Sequence, residues 1–169
     1  MWEYTGKRRP PFAATPGSGQ ESVWDYPRPP ALEPSTRRVR VLHGDTVIAE
    51  TARALRIAET ASPPTYDLPE DDVDLGRLVG VPGRSFCEWK GAARYYGLAG
   101  GDGTAVAWRY DAPPAAYAAL RGHLAFYPGR VACFLDAERV RPQPGGFYGG
   151  WITDDLVGPF KGTPDTGHW

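Results

Sequence analysis

Cysteine is scarce in this chain: Cys87 and Cys133 are the only two in 169 residues. Two thiols cannot build a disulfide framework or complete a four-cysteine zinc site, so neither staple is expected. Both are read as reduced thiols of a cytoplasmic protein. An excess of charge of one sign is also missing, because 19 Lys+Arg against 20 Asp+Glu leave a formal net charge of −1. That removes the electrostatic footprint of a nucleic-acid binder. No apolar run approaches the roughly 18 residues of a membrane helix, and Met1 to Pro10 lacks the apolar stretch of a secretory signal. His43, His123 and His168 are dispersed and form no multi-ligand metal pattern. A nucleophile elbow, a Walker loop, an H-E-x-x-H helix and a C-x-x-C pair are all absent. The expectation is a soluble cytoplasmic chain with no metal or cofactor, whose partners include neither nucleic acid nor membrane.

Chain breakers, by contrast, are plentiful: 21 Gly and 18 Pro. Long helices do not survive that density, so the prediction is a mainly-β fold with one or two short helices. The breakers concentrate at the two ends. Residues 1–36 read as a Pro- and aromatic-rich N-terminal arm, 37–141 as the core domain, and 142–169 as a Gly- and aromatic-rich C-terminal arm. Nearly half of the aromatic residues lie in the arms. Disordered tails are poor in aromatics, so the arms are expected to dock on the core or to cross to a second copy. Within the core, hairpins are predicted around His43-Gly44-Asp45, Gly100 to Gly103 and Asp136-Ala137-Glu138. Ala115–Leu124, behind Pro113-Pro114, is the best helix candidate, with a short turn over Asp71–Val79.

Residues 59–74 hold six carboxylates and no Lys or Arg. Asp67 to Asp74 reads as a solvated loop leading into a helix start. Glu59 differs, because Leu55 and Ile57 share its parity and place it on an apolar face. A carboxylate there is either a structural ion pair or a site residue. The densest chemical cluster is Cys87-Glu88-Trp89-Lys90-Gly91, where Gly91 is a candidate bulge that re-aims Lys90. Trp108 and Tyr110 share a strand phase with Val106. With Tyr66, Trp89 and Tyr95 they are candidates to line one partly wet site.

The order Pro64-x-Tyr66-x-x-Pro69-x-x-Asp72-Val73, Cys87-x-Trp89-Lys90-Gly91-x-Ala93-x-Tyr95, Ala107-Trp108-x-Tyr110 and Ala125-Phe126-Tyr127 resembles the domain-of-unknown-function 427 family. The flanking Trp24-Asp25-Tyr26-Pro27-Arg28-Pro29-Pro30 and Gly145-Gly146-Phe147-Tyr148-Gly149-Gly150-Trp151 fit the same resemblance. It implies a β-tent (Mss4-like) architecture of antiparallel sheets around a cleft, without the four zinc cysteines of some β-tents. The family is also filed under a nucleotidyltransferase-like label. The Gly-Ser loop closely followed by an Asp-x-Asp pair does not occur: Gly17-Ser18 has only Asp25 behind it, and Asp72-Val73-Asp74 has the spacing but no such loop before it, which makes nucleotidyl transfer the third and weaker reading. The leading expectation is therefore a small-molecule site with Glu59, Tyr66, Cys87 and Lys90 as candidate catalytic residues. Trp89, Tyr95, Trp108 and Tyr110 are its candidate ligand-binding walls. In that reading Lys90 holds an anionic or carbonyl group. The competing reading is a non-catalytic interaction module that self-associates through its arms.

Overall fold

The computed structural model describes residues 1–169 and places strands where apolar and polar residues alternate between glycine or proline turns. The N-terminal arm supplies β1 (Glu21–Ser22) and β2 (Ala31–Pro34). The core follows with β3 (Val39–His43), β4 (Thr46–Thr51), β5 (Leu55–Ala58), β6 (Thr65–Pro69), β7 (Leu78–Cys87) and β8 (Gly91–Leu98). Next come β9 (Ala105–Tyr110), β10 (His123–Phe126), β11 (Ala132–Leu135), β12 (Glu138–Arg139) and β13 (Arg141–Pro142). The C-terminal arm adds β14 (Trp151–Ile152) and β15 (Leu156–Val157).

Seven strands form an antiparallel sheet in the order β2-β5-β6-β10-β9-β8-β7, and four form a second one, β12-β11-β3-β4. The fold is mainly β, as composition predicts. All helical segments are short 3-10 turns. The alanine-rich stretch gives only Ala115–Leu120, broken at Tyr117, instead of a helix to Leu124. Tyr117 is buried there with its hydroxyl donating to the Pro30 carbonyl (2.8 Å), and the chain turns at Gly122 into β10. No helix is long and apolar enough to cross a membrane.

The main core takes Val39, Val41, Ile48 and Leu135 from the four-stranded sheet and Tyr66, Leu68, Leu124 and Phe126 from the seven-stranded one. The large sheet is therefore covered on one face by the small sheet. Its other face carries Ile57, Ala93, Trp108, Tyr110 and Ala125, joined by Tyr117 and Leu120. Period-2 alternation separates the two sets: Leu124 and Phe126 point one way, Ala125 the other.

The arms are structural parts of this unit. Trp151 is fully buried in the main core, its indole donating to the Phe126 carbonyl (3.0 Å). β1 pairs in parallel with β15, tying one arm to the other. Val23, Trp24 and Tyr26 make a third cluster with Ala58, Ala61 and Leu156, against which Tyr4, Phe160 and Trp169 pack.

Candidate functional site

Cys87 pairs with Gly91 to close the β7–β8 hairpin, leaving Glu88, Trp89 and Lys90 as its tip. A continued strand would send Trp89 and Lys90 to opposite faces. The turn instead sets Cys87, Glu88, Trp89 and Lys90 along one cleft of about 420 Å³. Gly91 makes that possible at φ +92°, a conformation side-chain-bearing residues rarely adopt. Gly91→Ala should destabilise the protein by about 1–2 kcal/mol in urea unfolding, and an unchanged midpoint would refute the strain argument.

The cleft opens on the outer face of the seven-stranded sheet, beneath the arms. Trp108, Tyr110 and Tyr95 line it from β9 and β8, and the Tyr95 and Ser85 hydroxyls are hydrogen-bonded at 2.6 Å. Tyr127 packs on Trp108 with ring centroids 4.6 Å apart. The arms complete the walls with Trp2, Phe147, Tyr148 and Lys161. Gly149 lets the C-terminal arm lie directly on the Trp108 ring, which a Cβ at that position would strike. Phe86 and Phe147 stand at the mouth, 78% and 65% exposed.

Glu59 follows β5, on the same side as Ile57, and proves to be an ion-pair residue that also borders the cleft. Its Oε1 accepts from Arg28 Nε (3.1 Å) and from the Trp89 indole (3.3 Å). Glu88 accepts from the Trp2 indole (3.1 Å), and Lys161 donates to the Trp169 main-chain oxygen (3.0 Å). Trp2 itself lies between two cations, with the Arg28 guanidinium 4.0 Å and the Lys161 ammonium 4.5 Å from its ring.

Of the charged groups that line the cleft, Lys90 alone has no hydrogen-bond or ion-pair partner. Its ammonium lies 5.4 Å from the Tyr110 ring centroid. Burial pushes it down, but Tyr110, Cys87, Asp67 and Glu59 push further the other way and leave it above the usual lysine value. Lys90 is thus a cation at neutral pH. Burial also pushes the Tyr110 phenol up, to about 12, against the opposing charge of Lys90.

Residues 31–137 match the family described as Domain of unknown function (DUF427), which is also labelled as a nucleotidyltransferase-type family. The chain belongs to the DUF427 family. No curated protein matches it.

In this DUF427 chain, seven of the eight candidate residues border the cleft: Glu59, Cys87, Trp89, Lys90, Tyr95, Trp108 and Tyr110. Tyr66 does not. It faces the main core on the opposite side of β6, with its ring 5.2 Å from that of Trp151. The residue after it corrects a second expectation. Asp67 is no solvated loop residue; it is paired on both sides in β6, against Leu55 and Ala125, and is 1% exposed. Its Oδ1 has no hydrogen-bond partner. Burial holds its carboxyl up at about 6, against the lowering pull of Lys90 and the Thr65 side chain. Val106, expected in phase with Trp108, faces the main core instead, because Tyr96 pairs with Ala107 and Gly97 with Ala105, leaving Val106 as an extra residue.

A larger cavity of about 570 Å³ borders β4, β8 and β9 and includes His43, Arg77, Asp102 and Arg130. Its charged groups have local partners. Arg77 pairs with Asp74, Arg130 donates to the Ala105 and Gly146 carbonyls, and Asp102 accepts from the Thr104 N–H. The aromatic cleft, with its unpartnered ammonium, is the stronger site.

Proposed function

We propose that this chain binds a small planar organic anion in the aromatic cleft, with Lys90 holding the negative group. The observation that carries the reading is an ammonium without a partner among aromatic walls. A half-buried cation with unused donors gains from an anion that brings acceptors of its own. The volume, about 420 Å³, lies in the range of small-molecule sites. Trp89, Tyr95, Trp108 and Tyr110 supply faces for a planar ring.

A lysine held above its usual value keeps its proton, so Lys90 acts here as a charge and proton donor and not as an amine nucleophile. Glu59, fixed by Arg28, positions Trp89 in this reading. Cys87 is a wall residue beside the charge.

Naphthalene-2-sulfonate is a suitable probe, because it is planar and stays ionised at every working pH. Calorimetry should show one saturable site per chain, weakened roughly 30-fold (about 2 kcal/mol) in Lys90→Met. Equal affinity for the variant, or no saturable binding to the wild-type chain, would defeat the proposal.

The interaction-module reading draws on exposed Phe86, Phe147 and Tyr148 at the mouth. Of the arm aromatics it relied on, Trp24, Tyr26 and Trp151 are buried against their own chain. Nucleotidyl transfer has less support. Asp72 is bonded by Thr51 and Arg53, Asp74 by Arg77, and no three His, Cys, Asp or Glu side chains converge as metal ligands.

A further inference from the structure

The polar capacity of the aromatic cleft does not end with Lys90. Ser85 and Tyr95 both line it, both are half-buried, and their hydroxyl oxygens are joined at 2.6 Å. No carboxylate, carbonyl or amide is bonded to either oxygen. Two hydroxyls carry two protons and one link uses one of them, so an O–H is left over whichever residue donates. Tyr127, on the same wall, leaves that count unchanged. Burial first, and then Tyr95, push its phenol up. If its hydroxyl joins the chain, three protons serve two links and one is again unused.

Strand register sets this pair apart from the charge. Ser85 pairs with Ala93 and Ala93 with Tyr110, so the three residues form one cross-strand row on the outer face of the large sheet. Tyr110 is the end of the row that carries the ammonium, 5.4 Å from its ring centroid. Ser85 is the other end, on a strand two ladder spacings away, about 10 Å. Only Ala93 stands between them in the row, so no side chain larger than a methyl separates the two ends. Tyr95 reaches the Ser85 end from the adjacent row, where it pairs with Trp108.

We propose that the cleft takes a planar aromatic acid carrying a neutral oxygen, a hydroxyl or a carbonyl, at the end remote from its charge, and that the Ser85–Tyr95 hydroxyl pair receives that oxygen. This rests on the anion-binding reading above and adds the substrate class. The negative group sits against Lys90, the ring lies along the aromatic walls, and the far oxygen accepts the unused O–H. A ligand hydroxyl also donates in return to a lone pair of the pair.

Selection follows from what an unsubstituted ring does at that end. It covers the hydroxyl pair, takes away the water that served the spare donor, and offers nothing in its place. The pair is half-buried, so the discrimination is that of one neutral hydrogen bond and not of a sealed pocket. Other polar side chains of the cleft are committed elsewhere: Glu59 to Arg28 and Trp89, Glu88 to Trp2, and Lys161 to the Trp169 oxygen.

The test compares two probes by calorimetry at neutral pH. 6-Hydroxynaphthalene-2-sulfonate should bind the wild-type chain roughly fivefold more tightly than naphthalene-2-sulfonate. 4-Hydroxynaphthalene-2-sulfonate, with its oxygen on the same ring as the charge, should show no such gain. In the double variant Ser85→Ala, Tyr95→Phe the ratio between the first two probes should fall to near one, whatever the loss of the Tyr95 wall does to both. The ratio is the readout, so a general weakening of the cleft does not imitate the result. Equal binding of the hydroxylated and plain probes to the wild type would overturn this inference and leave the anion site standing. So would an equal gain from the 4-hydroxy probe. A preference kept by the double variant would assign the oxygen to another cleft hydroxyl, such as Ser62 or Tyr110, and would overturn it too. Absence of saturable binding for every probe would remove the anion site itself and this inference with it.

Discussion

Asp67→Asn should make the protein more stable at pH 7.5, by as much as about 3 kcal/mol, and should change little at pH 4. The carboxyl titrates in the folded chain at about 6 because burial disfavours its charge. In the unfolded chain it titrates near the ordinary 3.8. A folded value above the unfolded one means that the folded state holds the proton more tightly. Its stabilising contribution is therefore complete below 3.8 and is lost as pH rises through 6. Asparagine carries no such penalty, so the gap between variant and wild type should open between pH 4 and 6 and stay level above. Urea unfolding at several pH values measures it. A variant less stable at pH 7.5, or a gap independent of pH, would show that the carboxylate is a satisfied structural group. A buried acid that costs stability at neutral pH is the signature of a residue kept for what it does to its neighbours.

Much of this arrangement is readable from local rules. The Gly44-Asp45 turn, the Gly100 to Gly103 loop and the Asp136-Ala137 turn each sit between alternating runs, and each closes a hairpin. The Cys87-Glu88-Trp89-Lys90 cluster and the shared phase of Trp108 and Tyr110 are equally local, and all six residues border the cleft. The exchange of roles between Tyr66 and Asp67 has a different origin. Both faces of β6 are buried, one by the small sheet and one in the cluster that includes Ile57, Tyr117, Leu120 and Ala125, so Tyr66, Asp67 and Leu68 are all inaccessible. Alternation tells which residues share a face, but not which face bears the site. The acidic run around Asp67 then hides one buried carboxylate among solvated ones. Its neighbours Tyr66 and Leu68 hold the signal: if they form core, Asp67 must point away from it, into whatever covers the other face. Trp2, Tyr148 and Lys161 reach the cleft only through docking of the arms, a long-range event with no local pattern. The cleft lies on the outer face of the large sheet, where Trp108 and Tyr110 point, and the arms add its remaining walls.

Arg28→Met should cost about 3 kcal/mol or more and should loosen both arms together. The Arg28 side chain is 1% exposed and lies where the two arms meet the core. Its Nε donates to Glu59, its Nη1 to the Tyr4 carbonyl (3.1 Å), and its Nη2 to the carbonyls of Thr60 (2.9 Å) and Trp169 (3.3 Å). Methionine keeps an apolar stem of similar reach but takes the side-chain donor from the Tyr4 and Thr60 carbonyls, leaves the Trp169 oxygen to Lys161 alone, and leaves Glu59 without its counter-ion. Breaking a buried pair in this way is costly because the abandoned charge remains, although Glu59 is near enough to the cleft to recover some hydration. A loss of about 3 kcal/mol in a chain of this size lowers the melting temperature by roughly 10 °C. Arg28→Lys should recover only part of it, since one ammonium cannot span four acceptors set in different directions. The effect should reach the cleft as well. Trp2 loses a cation from its ring and Trp89 loses the anchored carboxylate behind its indole, so the naphthalene-2-sulfonate affinity should fall although neither Lys90 nor its turn has been touched. Limited proteolysis should cut the N-terminal arm in Arg28→Met before it cuts the core. A variant that melts with the wild type and resists protease equally would show that the arms are held by their aromatic cluster alone, and that the cleft wall does not depend on this ion pair.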